Sequence, residues 1–228
     1  MKKAVIFDVD GTLVDSVDLH ARAWQQTLRH FGKEVPFEDV REQIGKGGDQ
    51  LMPVFLPKEQ VEKQGEEIEK YRKELFQKNY LSEVKPFPDV RNLFERLKKD
   101  EYKLALASSA KGEELQTYKR ISNIEDLLDT ETSSDDADKS KPEPDIFLAA
   151  LKRLGDVKPE NVIVVGDTPY DAEAAGKAGL RTIGFLCGGF AKEKLQGGNC
   201  VEIYKDAADL LKNYNHSLFA GVGIEGVR

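Results

Sequence analysis

Short apolar segments of strand length recur along the chain, and each ends in a polar or glycine-rich turn. They lie at 4–7, 104–107, 162–165 and 182–185. Between the later segments, apolar residues repeat at helical spacing, at 90–97, 146–154 and 172–178. Chains in which buried strands alternate with helices fold into a parallel sheet covered by helices on both faces. The pattern predicts an α/β fold with a doubly wound parallel sheet.

The segment between the first strand and residue 87 has no comparable strand. Its apolar residues repeat at helical spacing, at 17–31, 37–44 and 58–80. Because it leaves after the first strand and returns before the next strand–helix unit, it should lie over the carboxyl ends of the strands, where such sheets bind ligands. We predict a core domain of residues 1–15 and 87–228 with an inserted helical cap domain of residues 16–86.

Two segments show neither the apolar runs of strands nor the helical spacing of apolar residues. The polar run at 130–140 indicates a loop. The tail at 216–228 mixes three glycines with apolar residues, and it is compatible with an ordered end, a frayed end or an interface.

Composition excludes several classes of protein. The formal net charge of −7 gives no basic field for a nucleic acid. Cys187 and Cys200 are too few for a disulfide framework, which favours a reducing compartment. The first apolar run meets Asp8 too early for a signal peptide, and no run reaches the roughly 18 residues of a membrane span. We expect a cytoplasmic monomer or weak homodimer with no nucleic-acid or membrane partner.

Two carboxylates follow the first strand, in the sequence DVDGT. Residues two apart on an extended chain project to the same side, so Asp8 and Asp10 should face one point. Such a pair is tolerated at neutral pH only with a cation or a proton between the two groups. An Asp-Gly turn would explain a lone copy of this pattern, but the rest of the chain favours a functional site.

Further polar groups follow the later strands. Asp167 can cap the helix that follows 162–165, but capping does not explain Asp171, one helical turn further on. Ser108 ends the 104–107 strand, and Lys141 precedes the next helix. An acidic cluster, a hydroxyl and one ammonium together suit the binding of a phosphoryl group through a divalent ion.

The segments FDVDGTLVDS, ASSA, KPEPDIF and GDTPYD resemble the four ordered motifs of the haloacid dehalogenase superfamily, in its phosphoglycolate phosphatase and β-phosphoglucomutase-like branch. The resemblance implies a Mg²⁺-dependent phosphatase that hydrolyses small phosphate monoesters through an aspartyl-phosphate. It implies that Asp8 is the nucleophile and Asp10 the general acid/base. Ser108 and Lys141 would bind the phosphate.

The resemblance also implies a metal site. Its ligands would be Asp8, the backbone carbonyl of Asp10, and Asp167, while Asp171 would orient Lys141 or a water on the metal. Some relatives carry adjacent acids in the last motif. Here Gly166 precedes Asp167, so the second charge must come from Asp171.

Residues outside these motifs are candidates for substrate binding. His20 and Trp24 lie one turn apart on the first predicted helix. Core packing is the natural role of Trp24, whereas His20, near the cap hinge, is placed to meet substrate or a cap lysine. Lys46 lies in the glycine-rich run 45–49, which is either an anion-binding loop or a surface turn. Ser109, next to Ser108, completes the set.

Three other functions compete with phosphatase. A β-phosphoglucomutase-like hexose-phosphate mutase is suggested by the sequence DLHARAW at 18–24, but the 45–49 loop has one cation, Lys46, followed by the anion Asp49. A 2-haloacid dehalogenase is disfavoured because that branch lacks the counterpart of Asp10. A non-catalytic phosphate-ester-binding regulator is disfavoured by the intact acidic set. The sequence therefore favours hydrolysis.

Overall fold

A computed structural model describes residues 2–110, 112–198 and 200–220. The described residues form eight strands: β1 Lys3–Phe7, β2 Val14–Asp15, β3 Lys85–Pro86, β4 Tyr102–Ala107, β5 Thr130–Thr132, β6 Val162–Gly166, β7 Arg181–Phe185 and β8 Cys200–Tyr204. They also form ten α-helices: α1 Val17–His30, α2 Phe37–Arg41, α3 Gly48–Phe55, α4 Lys58–Asn79, α5 Val90–Lys99, α6 Glu113–Ser122, α7 Asp145–Leu154, α8 Pro169–Lys177, α9 Lys192–Gly197 and α10 Ala207–Lys212.

Six of the described strands form one parallel sheet in the order β5-β4-β1-β6-β7-β8. The chain winds from β1 outward through β4 to β5, and then returns to the other side of β1 for β6, β7 and β8. The direction of winding reverses beside β1, which is where sheets of this kind bind ligands. The predicted doubly wound α/β fold is confirmed.

Helices cover both faces of this sheet, as alternation along β1 requires. Val5 and Phe7 belong to an apolar cluster that includes residues of α5, α6 and α10. Ala4 and Ile6 belong to a second cluster with residues of α7 and α8. Because all four β1 side chains are fully buried, β1 is fixed from both sides, and the residue that follows it is held rigidly.

Helices α1 to α4 occupy the segment between β2 and β3. They enclose an apolar cluster of their own, which includes Trp24, Leu28, Leu51 and Ile68. Strands β2 and β3 pair antiparallel, so the chain leaves and re-enters the sheet region side by side. We propose that this pair marks the boundary of a cap domain, close to the predicted limits at residues 16 and 86.

Several elements differ from the sequence prediction. β5 lies within the polar run predicted as a loop, and seven other elements were not assigned from the sequence: β2, β3, β8, α3, α6, α9 and α10. Of the tail 216–228, only the first five residues belong to the described part of the chain. Both cysteines are free thiols. No described helix combines the length and the apolar composition that crossing a membrane requires.

Candidate active site

Asp8 follows β1 directly, and its backbone N–H donates to the carbonyl of Val165 on β6, at 2.9 Å. Its carboxylate Oδ1 lies 2.5 Å from Nζ of Lys141, and the same Nζ lies 2.7 Å from Oδ1 of Asp171. All three side chains are buried. The structure therefore brings together three of the predicted residues, of which Asp8 and Lys141 are 133 positions apart in sequence.

The charges of this group are mutually dependent. Burial raises the pKa of Asp8 to about 7, with Lys141 opposing and Asp171 adding to the rise. Burial lowers the pKa of Lys141, but the adjacent Asp171 and Asp8 carboxylates outweigh burial and hold it above its ordinary value. Lys141 is therefore an ammonium at neutral pH, held by two carboxylates.

A second part of the cluster is built around Asp167, which is completely buried at the end of β6. The hydroxyl of Thr12 lies 2.9 Å from its Oδ1 and 3.1 Å from Oδ2 of Asp8. Oδ2 of Asp167 is buried and has no hydrogen-bond partner among the described residues. Burial first, and then the charges of Asp8 and Asp171, raise the pKa of Asp167 well above its ordinary value. A buried oxygen without a partner calls for a cation or a proton.

Glycines make room for these carboxylates. A Cβ on Gly188, in the loop after β7, would lie 1.7 Å from Oδ2 of Asp167, and a Cβ on Gly11 would lie 2.3 Å from the same atom. A Cβ on Gly166 would lie 2.6 Å from the Cβ of Asp171. Gly166 therefore allows Asp171 to approach the strand end.

The donor set fits a divalent cation. Carboxylate oxygens of Asp8, Asp167 and Asp171 lie within 4.8 Å of one another. Hard cations such as Mg²⁺ bind oxygen ligands of this kind. Asp171 has other partners, however, because its Oδ2 accepts from the backbone N–H and the hydroxyl of Thr168 at 3.0 and 2.7 Å, and its Oδ1 pairs with Lys141. Its contacts suit the orientation of Lys141 better than metal ligation.

Asp10 is held by the first helix of the inserted segment. Its Oδ1 accepts from the hydroxyl of Ser16 at 2.6 Å and from Nε2 of His20 at 2.9 Å. Burial alone would raise the pKa of Asp10, but His20 and Ser16, with Tyr118, outweigh burial and lower it. Two carboxylates of one motif thus have opposite pKa shifts. The pKa of Asp8 is raised because it is buried among other carboxylates, and the pKa of Asp10 is lowered because it faces hydrogen-bond donors.

His20 connects the inserted helices to the sheet domain. Its Nε2 lies 3.2 Å from the hydroxyl of Tyr118 on α6, and its Nδ1 lies 3.4 Å from Nη1 of Arg72 on α4. Its ring stacks on Phe76 with centroids 4.0 Å apart. These contacts fit an imidazole that donates from Nε2 and accepts at Nδ1. The cation beside His20 is Arg72, whereas the sequence analysis left open substrate or a cap lysine as its partner.

A cleft of about 480 Å³ opens between the sheet edge and the helices. Asp8, Asp10, His20, Lys46 and Ser109 all line it. The structure therefore places the predicted substrate-binding candidates around one space. Trp24 lines the same cleft while being only 4% exposed, in agreement with the predicted packing role.

Ser108 and Lys46, which were predicted to bind phosphate and substrate, already have partners within the protein. Ser108 is completely buried, and its hydroxyl accepts from the backbone N–H of Ala110 at 3.0 Å. Nζ of Lys46 donates to Oε1 of Gln43 at 2.6 Å and lies 4.8 Å from the centroid of the Tyr170 ring. Burial lowers the pKa of Lys46, although Glu173 acts in the opposite direction.

Contacts across the cleft hold the inserted segment against the sheet domain. The hydroxyl of Tyr170 donates to the carbonyl of Glu42 at 2.7 Å. The backbone N–H of Ser140 donates to Oδ2 of Asp49 at 3.2 Å, and a Cβ on Gly47 would lie 2.0 Å from the hydroxyl of Ser140. The glycine-rich run therefore lies against the sheet domain.

Sequence reasoning missed four residues at this site: Thr12, Arg72, Glu114 and Tyr118. Thr12 lies within the first motif, so the motif itself was a usable signal. Arg72 is one charge among many on α4, and nothing in its spacing distinguishes it. Glu114 and Tyr118 are separated by one turn of α6, and their closeness to His20 depends on how the segments pack.

The fold and the cluster at the switch point define a hydrolase of phosphate esters. A model of the haloacid dehalogenase-like hydrolase family matches residues 5–185, and the chain belongs to that family. The phosphoglycolate phosphatase of Aquifex aeolicus is 34% identical over 188 residues, which span 79% of this chain and 83% of that protein. The phosphorylated carbohydrates phosphatase of Thermotoga maritima is 32% identical over 184 residues, with 79% and 83% covered.

Structural comparison agrees with these relatives. A solved hydrolase from Pseudomonas syringae has a TM-score of 0.81 with this chain at 27% identity, and the match covers 93% of this chain and 98% of that one. The chain is therefore a phosphatase of the haloacid dehalogenase-like family that acts on phosphate esters. The alternative of a hexose-phosphate mutase is not favoured by the curated relatives.

Proposed function

We propose that this chain is a Mg²⁺-dependent phosphatase that hydrolyses small-molecule phosphate monoesters of the phosphoglycolate or sugar phosphate type through an aspartyl-phosphate on Asp8. One observation supports the proposal above the others. Asp8 is paired with an ammonium at 2.5 Å, while Asp10, two residues later, is bound by Ser16 and His20 instead. The two carboxylates are thus separated into different roles.

The metal ligands in this proposal are Asp8, Asp167 and the backbone carbonyl of Asp10. The partnerless oxygen of Asp167 is the feature that supports a cation there. When bound, Mg²⁺ supplies positive charge that reduces repulsion between an anionic nucleophile and an anionic substrate. Thr12, which bridges Asp8 and Asp167, keeps both carboxylates facing this position.

Asp8 is the nucleophile in the first step. A carboxylate oxygen of Asp8 forms a bond to phosphorus as the bond from phosphorus to the ester oxygen breaks. Lys141 stabilises the negative charge on the transferring phosphoryl group, and Asp171 holds its ammonium in place. Ser108 and Ser109, at the end of β4, orient the phosphate oxygens in this scheme.

Asp10 carries the proton in both steps. Its lowered pKa leaves Asp10 ionised in the free site, so it must first take up a proton from solvent in the cleft. As a general acid it then protonates the departing ester oxygen, and as a general base it takes a proton from the water that attacks phosphorus. The attack releases inorganic phosphate and restores the Asp8 carboxylate. Because the Asp10 side chain is held by Ser16 and His20, it is directed to the cleft, on the side from which an alcohol leaves.

Selection of the alcohol belongs to the cleft. We propose that His20, Lys46 and Ser109 contact the part of the substrate beyond the phosphate, since all three line the same space. Small esters suit a cleft of about 480 Å³. We further propose a cytoplasmic enzyme, a monomer or weak homodimer, that acts on a small molecule rather than on nucleic acid or membrane.

Phosphate release from a panel of small phosphate esters tests this function. We expect turnover with Mg²⁺, none in excess chelator, and little with Ca²⁺, which accepts more and longer oxygen contacts than Mg²⁺. The panel should include 2-phosphoglycolate, sugar monophosphates and p-nitrophenyl phosphate. Full activity in chelator, or equal rates with both ions, contradicts the proposal.

A further inference from the structure

Arg72, on α4, lines the cleft and contacts His20 and Trp24. Its Nη1 lies 3.4 Å from Nδ1 of His20, and its Cζ lies 5.6 Å from the centroid of the Trp24 ring. Aromatic faces attract a guanidinium and fix its plane. The contacts of the Arg72 guanidinium are thus an imidazole nitrogen and the face of an indole ring.

The Arg72 guanidinium has an N–H group that forms no hydrogen bond with the described residues. Within residues 2–110, 112–198 and 200–220, no carboxylate forms an ion pair with Arg72, and its buried Nε has no hydrogen-bond partner. A buried donor without a partner is unfavourable unless something else accepts its hydrogen bond. Lys46, in the same cleft, already donates to Gln43 and lies over the Tyr170 ring. Arg72 is thus the better receptor for an anion.

Arg72 lies near Asp10, the proposed general acid/base. Arg72 and Asp10 contact opposite nitrogens of the same imidazole, that of His20, at 3.4 and 2.9 Å. A ligand whose ester oxygen meets Asp10 therefore has Arg72 beside its leaving group. Four exposed acidic side chains also line this cleft, and solvent screens their effect on an anion at Arg72: Asp49, Glu66, Glu69 and Asp138. The buried carboxylate in the lining, Glu114, lies 3.9 Å from Nε2 of His20, the ring nitrogen opposite the one that Arg72 contacts.

We propose that Arg72 determines specificity by binding a second anionic group, a carboxylate or a phosphate, on the leaving group of the substrate. The proposal rests on the proposed phosphatase function and narrows its substrates to short esters with two anionic ends. A guanidinium forks onto either group with two parallel hydrogen bonds, and the unpartnered Nε is one of the donors available for this. Neutral esters gain nothing from this contact.

Matched esters and matched variants test the proposal. The pair 2-phosphoglycolate and 2-hydroxyethyl phosphate differs in the distal carboxylate, and the pair glucose 1,6-bisphosphate and glucose 1-phosphate differs in the distal phosphate. We expect Arg72→Gln to lower kcat/KM by about 10- to 100-fold for the anionic member of at least one pair, and by less than about threefold for the neutral member. The responding pair identifies the anion.

The control is Lys73→Gln, which removes the same charge from the next residue of the same helix in the same cleft. We expect it to change all four esters by a similar, small factor. Arg72→Lys, which keeps the charge but not the fork, should lose an intermediate amount for the anionic ester alone. If Arg72→Gln does not fold, as judged by thermal unfolding, Arg72→Lys carries the same test.

Equal losses for both members of each pair, or no loss for either, would overturn the proposal, because a packing role alone predicts no discrimination between esters. Failure of the wild-type protein to hydrolyse any ester, including p-nitrophenyl phosphate with Mg²⁺, would instead contradict the phosphatase function. Hydrolysis of the anionic and the neutral member of each pair at rates that Arg72→Gln leaves unchanged keeps that function intact and excludes the distal anion.

Discussion

Asp8 lies beside one cation and among carboxylates, so its charge state depends on what else occupies the cluster. Without metal, its pKa of about 7 lies above the ordinary value of 3.8, because burial disfavours the anion. The folded chain then holds a proton that the unfolded chain releases. Stability contributed by this proton is complete at low pH and is lost as pH rises towards and through about 7. The raised pKa of Asp167 acts in the same direction.

A pH-dependent stabilisation by Mg²⁺ follows from this sign. A cation that binds the ionised carboxylates should raise the Tm more at about pH 8 than at about pH 5, where protons compete for the same oxygens. Thermal unfolding in Mg²⁺ and in chelator, at both pH values, measures the difference. Equal stabilisation at the two pH values would show that Asp8 and Asp167 do not hold the ion.

Lys46 illustrates how an existing partner limits a residue. Its ammonium already donates to Gln43 and lies over the Tyr170 ring. A substrate would share this ammonium with both partners, so replacing Lys46 should weaken substrate binding only slightly. We expect Lys46→Ala to raise KM for the preferred ester by less than about fivefold and to leave p-nitrophenyl phosphate unchanged. Steady-state kinetics on both esters provide the measurement. A larger increase would mean that Lys46 leaves Gln43 to bind substrate, and no change on any ester would make its loop only a turn.

At the scale of elements, the loop after β7 lies against Asp167, a ligand of the proposed metal site. A Cβ on Gly188 would overlap Oδ2 of Asp167, so Gly188→Ala must displace that carboxylate or the loop. We expect a loss of at least about tenfold in activity and in apparent Mg²⁺ affinity. Gly176→Ala is the matched control, because a Cβ at that helical position meets nothing within 4 Å. Wild-type Mg²⁺ dependence in Gly188→Ala would show that the loop is not part of the site.

The elements that the sequence predicted are those whose pattern is local. Strands such as β1 and β6 are buried on both faces, so they appear as continuous apolar runs. β5 is a three-residue polar edge strand that exists through its pairing with β4, and β8 is a partly exposed edge strand. Helix α3 begins at Gly48 and contains Pro53, both poor helix formers, so packing against α4 decides its structure.

The same distinction applies to the candidate site. Asp8, Ser108 and Asp167 follow parallel strands, and the carboxyl ends of such strands share one edge, so strand order alone brought them together. Arg72 lies on a long charged helix whose orientation over the sheet has no signature in the sequence. Arg72 as the partner of His20 was therefore beyond prediction from the sequence.

For the whole molecule, the choice between hydrolysis and phosphoryl transfer to a sugar depends on whether the cleft can keep a sugar bisphosphate bound. A mutase must keep a bisphosphate bound while it reorients, which calls for fixed cations at more than one place in the cleft. Lys46 already donates to Gln43 and is followed in the same loop by the anion Asp49. We expect β-glucose 1-phosphate, supplied with a trace of the 1,6-bisphosphate, to yield free phosphate and no net glucose 6-phosphate. If glucose 6-phosphate formed faster than free phosphate was released, the protein would be a mutase instead.

Formation of a covalent phosphoryl group on Asp8 is the most direct test of the proposed chemistry. The protein is mixed with its preferred ester and Mg²⁺, quenched in acid during turnover and analysed by peptide mass spectrometry. We predict one added phosphoryl mass on the peptide that contains Asp8, and neither label nor turnover in Asp8→Asn, which keeps the shape but loses the nucleophilic charge. Near wild-type phosphate release by Asp8→Asn, or a label on another residue, would contradict Asp8 as the nucleophile.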